Sequence, residues 1–246
     1  MLTKTQIKYI RSLWQTKARK EQNAFIIEGT KIVDEWLRNK QQLKMLIATK
    51  EWEIENIELL KQLPNTSIYI IKESELNTLS GLQTANEVMA VVELPENKDI
   101  ILQNRWYLAL DTIQDPGNMG TLIRIADWFG IPAIFCSPDC VDVYNPKVIQ
   151  AAMGGHLRVN IIEKDLSTFF SSTDLPIYGA TLDGESIYNC NAGNAGILLI
   201  GNESKGISEK LKLFLTKKIT IPRYGGAESL NAAVATGIIC AVLLPR

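Results

Sequence analysis

Three short segments of this 246-residue chain concentrate side chains that could do chemistry. The first runs Asp111-Thr112-Ile113-Gln114-Asp115-Pro116-Gly117-Asn118 and is followed by Arg124; the second is Gly201-Asn202-Glu203-Ser204-Lys205-Gly206; the third is Ile221-Pro222-Arg223-Tyr224-Gly225-Gly226-Ala227-Glu228-Ser229-Leu230-Asn231. Each combines glycines, which let a backbone approach a ligand closely, with amide, carboxylate or hydroxyl groups that orient what is bound. On a helix beginning near Asn118, the Arg124 guanidinium would stand roughly 9 Å along the axis at 1.5 Å per residue. From there it could reach back to the loop and hold an anion. Spacing alone equally allows Arg124 as an ordinary surface arginine, Gly201 to Gly206 as a plain strand-loop-helix connection, and Ser229 or Asn231 as a helix cap.

Other chemistries lack their residues. There is no Walker lysine motif, no Gly-x-Gly-x-x-Gly after the first strand and no Gly-x-Ser-x-Gly elbow. The single histidine, His156, supports neither a Ser-His-Asp hydrolase nor a histidine metal site, and it reads as a loop or packing residue. The cysteines at 136, 140, 190 and 240 follow neither metal-ligand nor disulfide spacing. They are expected as reduced, buried thiols, and no metal is expected.

The elements that must position these segments alternate β-branched runs with helical stretches, as in an α/β protein. In the first block the pattern predicts a basic helix over Lys4 to Trp14, a strand over Ala24 to Glu28, a helix over Thr30 to Arg38, and strands near Leu43 to Ala48, Ser67 to Ile71 and Glu87 to Leu94. The polar stretch from Pro95 to Asn104 offers little to bury. The expected division is therefore 1–97 as one domain, 98–104 as linker and 105–246 as the second domain. There, strands are expected at Trp106 to Leu110, Ala133 to Cys136, Arg158 to Ile162, Ile177 to Thr181, Gly196 to Ile200 and Lys218 to Ile221. A helix capped by Asn118 should run to Phe129. The sheet is expected to be mostly parallel, and such sheets bind ligands at the carboxyl ends of their strands. The three polar segments follow Leu110, Ile200 and Ile221, at such ends.

Residues 1–50 hold eleven Lys or Arg against four Asp or Glu, and 51–100 hold three against ten. A basic region this concentrated can attract a phosphate backbone although the whole chain carries a formal charge of -1; a solvated helix face explains it equally well. The first twenty residues hold no long apolar run, and the longest apolar stretches are too short for a bilayer. A soluble, cytoplasmic protein without a membrane partner is expected.

In order and spacing the three segments resemble the motifs of SpoU-type methyltransferases of the SPOUT superfamily, also called TrmH-like enzymes. Asp115, Pro116, Asn118, Gly120 and Arg124 match the first motif, Gly201, Glu203 and Gly206 the second, and Ile221, Pro222, Gly225, Ser229, Leu230 and Asn231 the third. Tyr144-Asn145-Pro146-Lys147 and Met153-Gly154 are weaker matches. Lys17-Ala18-Arg19-Lys20 and Phe25-Ile26-Ile27-Glu28-Gly29 look like the substrate-binding domain that precedes such enzymes. Arg223 and Gln150 depart from the family pattern, at places where methionine and arginine are common, and could alter substrate choice.

The resemblance implies a deep trefoil knot in the second domain, S-adenosylmethionine as cofactor, and methylation of a ribose 2'-hydroxyl. It places the cofactor against Thr181, Leu182, Gly201, Ile221 and Leu230, and assigns the reaction to Arg124 with Asn118, Glu203, Ser229 and Asn231. Arginine is a difficult base, its guanidinium holding its proton tightly, so Arg124 is expected to anchor phosphate and the developing alkoxide. A homodimer with active sites near the subunit interface is implied, and an RNA partner rather than DNA. The extended first domain points to 23S ribosomal RNA. The rival readings are a transfer RNA 2'-O-methyltransferase, a non-catalytic RNA-binding protein on the same fold, and a methyltransferase for a small molecule or protein.

Overall fold

The computed structural model describes residues 2–63, 66–82, 86–96 and 100–245. These form two compact units. One comprises residues 1–96 with 144–154, the other 97–143 with 155–246.

The first unit holds α1 (Lys4–Ser12), α2 (Thr16–Gln22), β1 (Ala24–Glu28), α3 (Thr30–Arg38), β2 (Leu43–Ala48), α4 (Lys50–Glu55), α5 (Ile57–Leu60), β3 (Ser67–Ile70), α6 (Glu73–Asn77) and β4 (Val88–Glu93). Its sheet runs β1-β4-β2-β3, with β4 antiparallel to both neighbours and β3 parallel to β2. One core layer gathers Ile10, Leu13, Ile26, Ile47, Leu76 and Val91. The basic helix expected to reach Trp14 stops at Ser12, where Leu13 takes the C-cap and a second helix follows. Arg19 on that helix is 1% exposed, and its guanidinium donates to the Leu13 carbonyl at 2.8 Å and the Thr16 hydroxyl at 2.9 Å. Part of the basic sequence signal is therefore internal structure rather than surface charge.

The second unit begins with β5 (Trp106–Leu110), α7 (Pro116–Trp128) and β6 (Ala133–Cys136). Next in the chain is α8 (Pro146–Ala152), which packs on β1 and so belongs to the first unit. Its Gln150 donates to the Glu28 carbonyl at 2.5 Å, and the Tyr144 ring lies 4.9 Å from that of Phe25. Residues 144–154 thus pack with the first unit; of the expected linker, residues 98 and 99 lie outside the described residues. The unit continues with β7 (Asn160–Glu163), α9 (Leu166–Ser171), β8 (Ile177–Ser186), β9 (Gly196–Ile200), α10 (Glu209–Lys212), β10 (Lys217–Thr220) and α11 (Ala232–Leu243).

Its six strands are all parallel, in the order β10-β8-β9-β5-β6-β7. From β5 the chain steps outward through β6 and β7, then crosses to the other side. The switch therefore lies between β5 and β9, where a parallel sheet opens a crevice at its strand ends. Strands β5 and β9 are buried at all five positions, as strands covered on both faces must be. Strand β8 extends to Ser186, five residues beyond the expected end, and shifts register against β10 at Lys218/Ile219. Among the described residues no helix is long and apolar enough to cross a membrane.

Candidate active site

Helix α7 begins at Pro116, not at Asn118. Asp115 is its N-cap, with Oδ1 accepting the Asn118 amide at 2.7 Å, and Pro116 fills the first turn, where no N–H is needed. Asn118 is thus not the cap, and its side chain is free to bond elsewhere. Its Nδ2 donates to Glu203 Oε1 at 3.0 Å, and its Oδ1 accepts from Asn231 Nδ2 at 2.7 Å. Asn231 is itself the N-cap of α11, accepting the amides of Ala233 and Val234 through Oδ1. One residue from each motif meets here, across 85 and 113 positions of sequence.

The loop after β9 owes its shape to glycine. A Cβ on Gly201 would come within 2.2 Å of the Gly206 carbonyl carbon, so only glycine lets the loop fold back on itself. Asn202 and Gly206 exchange backbone hydrogen bonds of 3.0 and 2.9 Å, and Gly206 turns at φ 68°, a conformation open to glycine at little cost. Glu203 sits exposed in this closed turn. Beneath it, Asn202 donates to the Thr112 carbonyl in the loop after β5, and the buried Asp111 of that loop accepts the Ser208 amide.

Beside the network is a cavity of about 690 Å³ bounded by the ends of β8, β9 and β10 and the start of α11. All five residues expected at the cofactor, Thr181, Leu182, Gly201, Ile221 and Leu230, line it, as do Glu203 and Ser229. Its walls suit an organic ligand with polar substituents. Leu182 is 77% and Leu230 49% exposed, apolar surface that a ligand would cover, and the Thr181 hydroxyl is buried at the cavity wall beside the Asp183 carboxylate. Arg124 is not drawn into this arrangement. It is exposed on α7, about 120° around the helix from Asn118 at 3.6 residues per turn, and pairs with no described residue. Ser229 is exposed at the cavity wall and does not cap α11.

Of the departures from the motif pattern, Arg223 lines the cavity and donates to the Ala227 carbonyl at 3.3 Å, whereas Gln150 serves the first unit. The four cysteines are free. Only Cys136 and Cys240 are buried; Cys140 and Cys190 are half-buried, against the expectation that all would be. His156 is a packing residue in a single 3-10 turn, its Nε2 2.8 Å from the Val143 carbonyl. Sequence reasoning missed Asn202 and Asp111, whose importance lies in contacts 90 and 97 residues distant.

The SpoU rRNA methylase family matches residues 105–241, and an MRM3-like substrate binding domain matches residues 4–90. The 23S rRNA (guanosine(2553)-2'-O)-methyltransferase RlmP of Bacillus subtilis is 29% identical over 95% of this chain and 93% of its own. A solved TrmH-family protein from Porphyromonas gingivalis superposes with a TM-score of 0.87 at 36% identity, over 99% of this chain and 98% of that one. An AdoMet-bound rRNA methyltransferase from Sinorhizobium meliloti does so with a TM-score of 0.87 at 28% identity, over 98% and 94%. The α/β fold with its parallel sheet is that of SPOUT methyltransferases. The chain belongs to the SpoU rRNA methylase family.

Proposed function

We propose that this protein transfers a methyl group from S-adenosylmethionine to a ribose 2'-hydroxyl of 23S ribosomal RNA. The observation that carries the reading is the Asn118, Glu203 and Asn231 network standing beside a cavity lined by the five residues expected to hold the cofactor. Once bound, the cofactor supplies an electrophilic methyl on a sulfonium centre. The apolar side chains of Leu182, Ile221 and Leu230 would seat its base beside the Thr181 hydroxyl, while Gly201 keeps the turn closed. Asn118, Glu203, Ser229 and Asn231 orient the reacting ribose, and Arg124 anchors its phosphate and the alkoxide that develops as the proton leaves. Alignment of oxygen and methyl is the main task, because orientation alone can supply several powers of ten in rate.

The fold is read as knotted at the β8, β9 and β10 ends, as the family resemblance implies. The first unit is read as the RNA-binding domain, with 98–104 as linker and residues 144–154 as part of its structure. Exposed Lys4, Lys8, Arg11, Lys17 and Lys20 supply its positive face. A cytoplasmic homodimer is proposed. Helix α11 carries no charged residue from Ala232 to Leu243 and packs on α7, yet Val234 is 53%, Val242 40% and Trp128 83% exposed. An apolar helix face left open in this way fits burial against a second copy, and sedimentation of the purified protein as a monomer would count against it. Ribosomal RNA from cells lacking the gene should lose one 2'-O-methyl group; an unchanged methylation map would refute the assignment.

A further inference from the structure

Thr112 stands at φ 59°, in the left-handed region where a β-branched side chain is strained. Such strain persists only where surrounding contacts over-determine it, and here every polar group of the residue is held. Its N–H donates to Ser137 Oγ at 2.9 Å, its hydroxyl donates to Asp111 Oδ1 at 3.2 Å, and its carbonyl accepts from Asn202 Nδ2 at 2.8 Å. Asn202 is engaged just as fully. Its Oδ1 accepts the amides of Ser204 and Lys205 at 3.0 and 3.1 Å, and its Nδ2 also lies 3.4 Å from Glu203 Oε2. Asp111, 3% exposed, accepts the Ser208 amide at 2.7 Å through its other oxygen. The turn bearing Glu203 is therefore fastened at both ends to the two residues that open the loop leading to Asn118.

We propose that Asn202 is a positioning residue for methyl transfer: one side-chain amide grips the Thr112 carbonyl and the Glu203 turn together, keeping Glu203 Oε1 3.0 Å from Asn118 Nδ2. This rests on the methyltransferase reading above. A purely local role, closing the 202–206 turn, would use only Oδ1. The role argued here also needs the Nδ2 donor, and a substitution can separate the two. Asn202→Asp keeps an acceptor for the Ser204 and Lys205 amides but loses the donor to Thr112 and sets a second carboxylate beside Glu203.

The test compares wild type, Asn202→Asp and Asn202→Ala in steady-state methyl transfer from labelled cofactor to 23S ribosomal RNA, with thermal unfolding alongside. Misplacement of about 1 Å costs on the order of 100-fold in rate. For Asn202→Asp the expected result is a kcat lowered by roughly 10- to 100-fold, with cofactor KM within about threefold of wild type and the protein still folded at the assay temperature. Asn202→Ala should lose kcat and also melt earlier, because the turn goes with it. A kcat for Asn202→Asp within about threefold of wild type overturns the proposal, as does a loss of kcat matched by an equal rise in cofactor KM. A wild-type protein that transfers no methyl overturns the underlying functional reading, and the positioning role with it.

Discussion

Arg124, to which the proposed function gives the anchoring of phosphate and alkoxide, stands apart from the Asn118, Glu203 and Asn231 network. Exposed on α7 and without a carboxylate partner among the described residues, it is open to an incoming phosphate. Because it does not line the cavity proposed for the cofactor, Arg124→Ala should abolish methyl transfer while cofactor affinity by calorimetry stays within about threefold, a difference under 1 kcal/mol. Equal loss of both would move the residue into the cofactor site. His156 offers a separate test of the fold around it. Burial pushes its imidazole from 6.5 down to about 4, against the opposing pull of the Val143 carbonyl. Below pH 6.5 the unfolded chain takes up a proton that the folded protein refuses. Its contribution to stability is thus complete above that pH and is lost as pH falls toward 4, by at most about 1.4 kcal/mol per pH unit. Urea unfolding at pH 7 and pH 5 should show a smaller decline for His156→Gln than for wild type; identical declines would mean that the ring titrates freely.

Among the elements, α11 joins stability to chemistry through one side chain. Asn231 caps the helix with its oxygen and reaches Asn118 with its nitrogen. Asn231→Asp keeps the cap and should melt near wild type while losing most of its activity. Asn231→Ala should lose about 1 kcal/mol of stability as well. If the aspartate variant retained full activity, the contact with Asn118 would be dispensable. This junction also marks how far the sequence could be read. Strands β5 and β9 were legible because they are unbroken apolar runs, and the polar segments after Leu110 and Ile200 were legible because they end those runs. Asp115 and Asn118 are both good capping residues, and only Pro116 between them, which suits the first helical turn, tells which one caps. The bonds among Asn118, Glu203 and Asn231 carry no local signal, being set by strand order. The same holds for the strained Thr112, which nothing in its neighbours announces.

For the whole molecule, one sequence expectation changes its consequences. Removal of residues 1–97 would be a clean way to delete the proposed RNA-binding part if the remaining chain were a complete domain. Helix α8 argues otherwise, since Pro146, Val148, Ile149 and Ala152 are buried within the unit that the truncation destroys. Charge reversal at the exposed Lys4 and Lys8 of α1 and Lys20 of α2 leaves that packing intact. It should weaken RNA binding and flatten its salt dependence by roughly one unit of slope for each phosphate no longer neutralised, with cofactor binding unchanged. A salt slope equal to wild type would place the RNA elsewhere.

Incubation of the purified protein with 23S ribosomal RNA and methyl-labelled S-adenosylmethionine, followed by alkaline hydrolysis, tests the central claim most directly. Alkaline cleavage of RNA needs a free 2'-hydroxyl, so a ribose methyl protects the adjoining phosphodiester. The account predicts label in one alkali-resistant dinucleotide, absent with Arg124→Ala. Label released as a methylated base in mononucleotides, or no transfer to RNA at all, would contradict it.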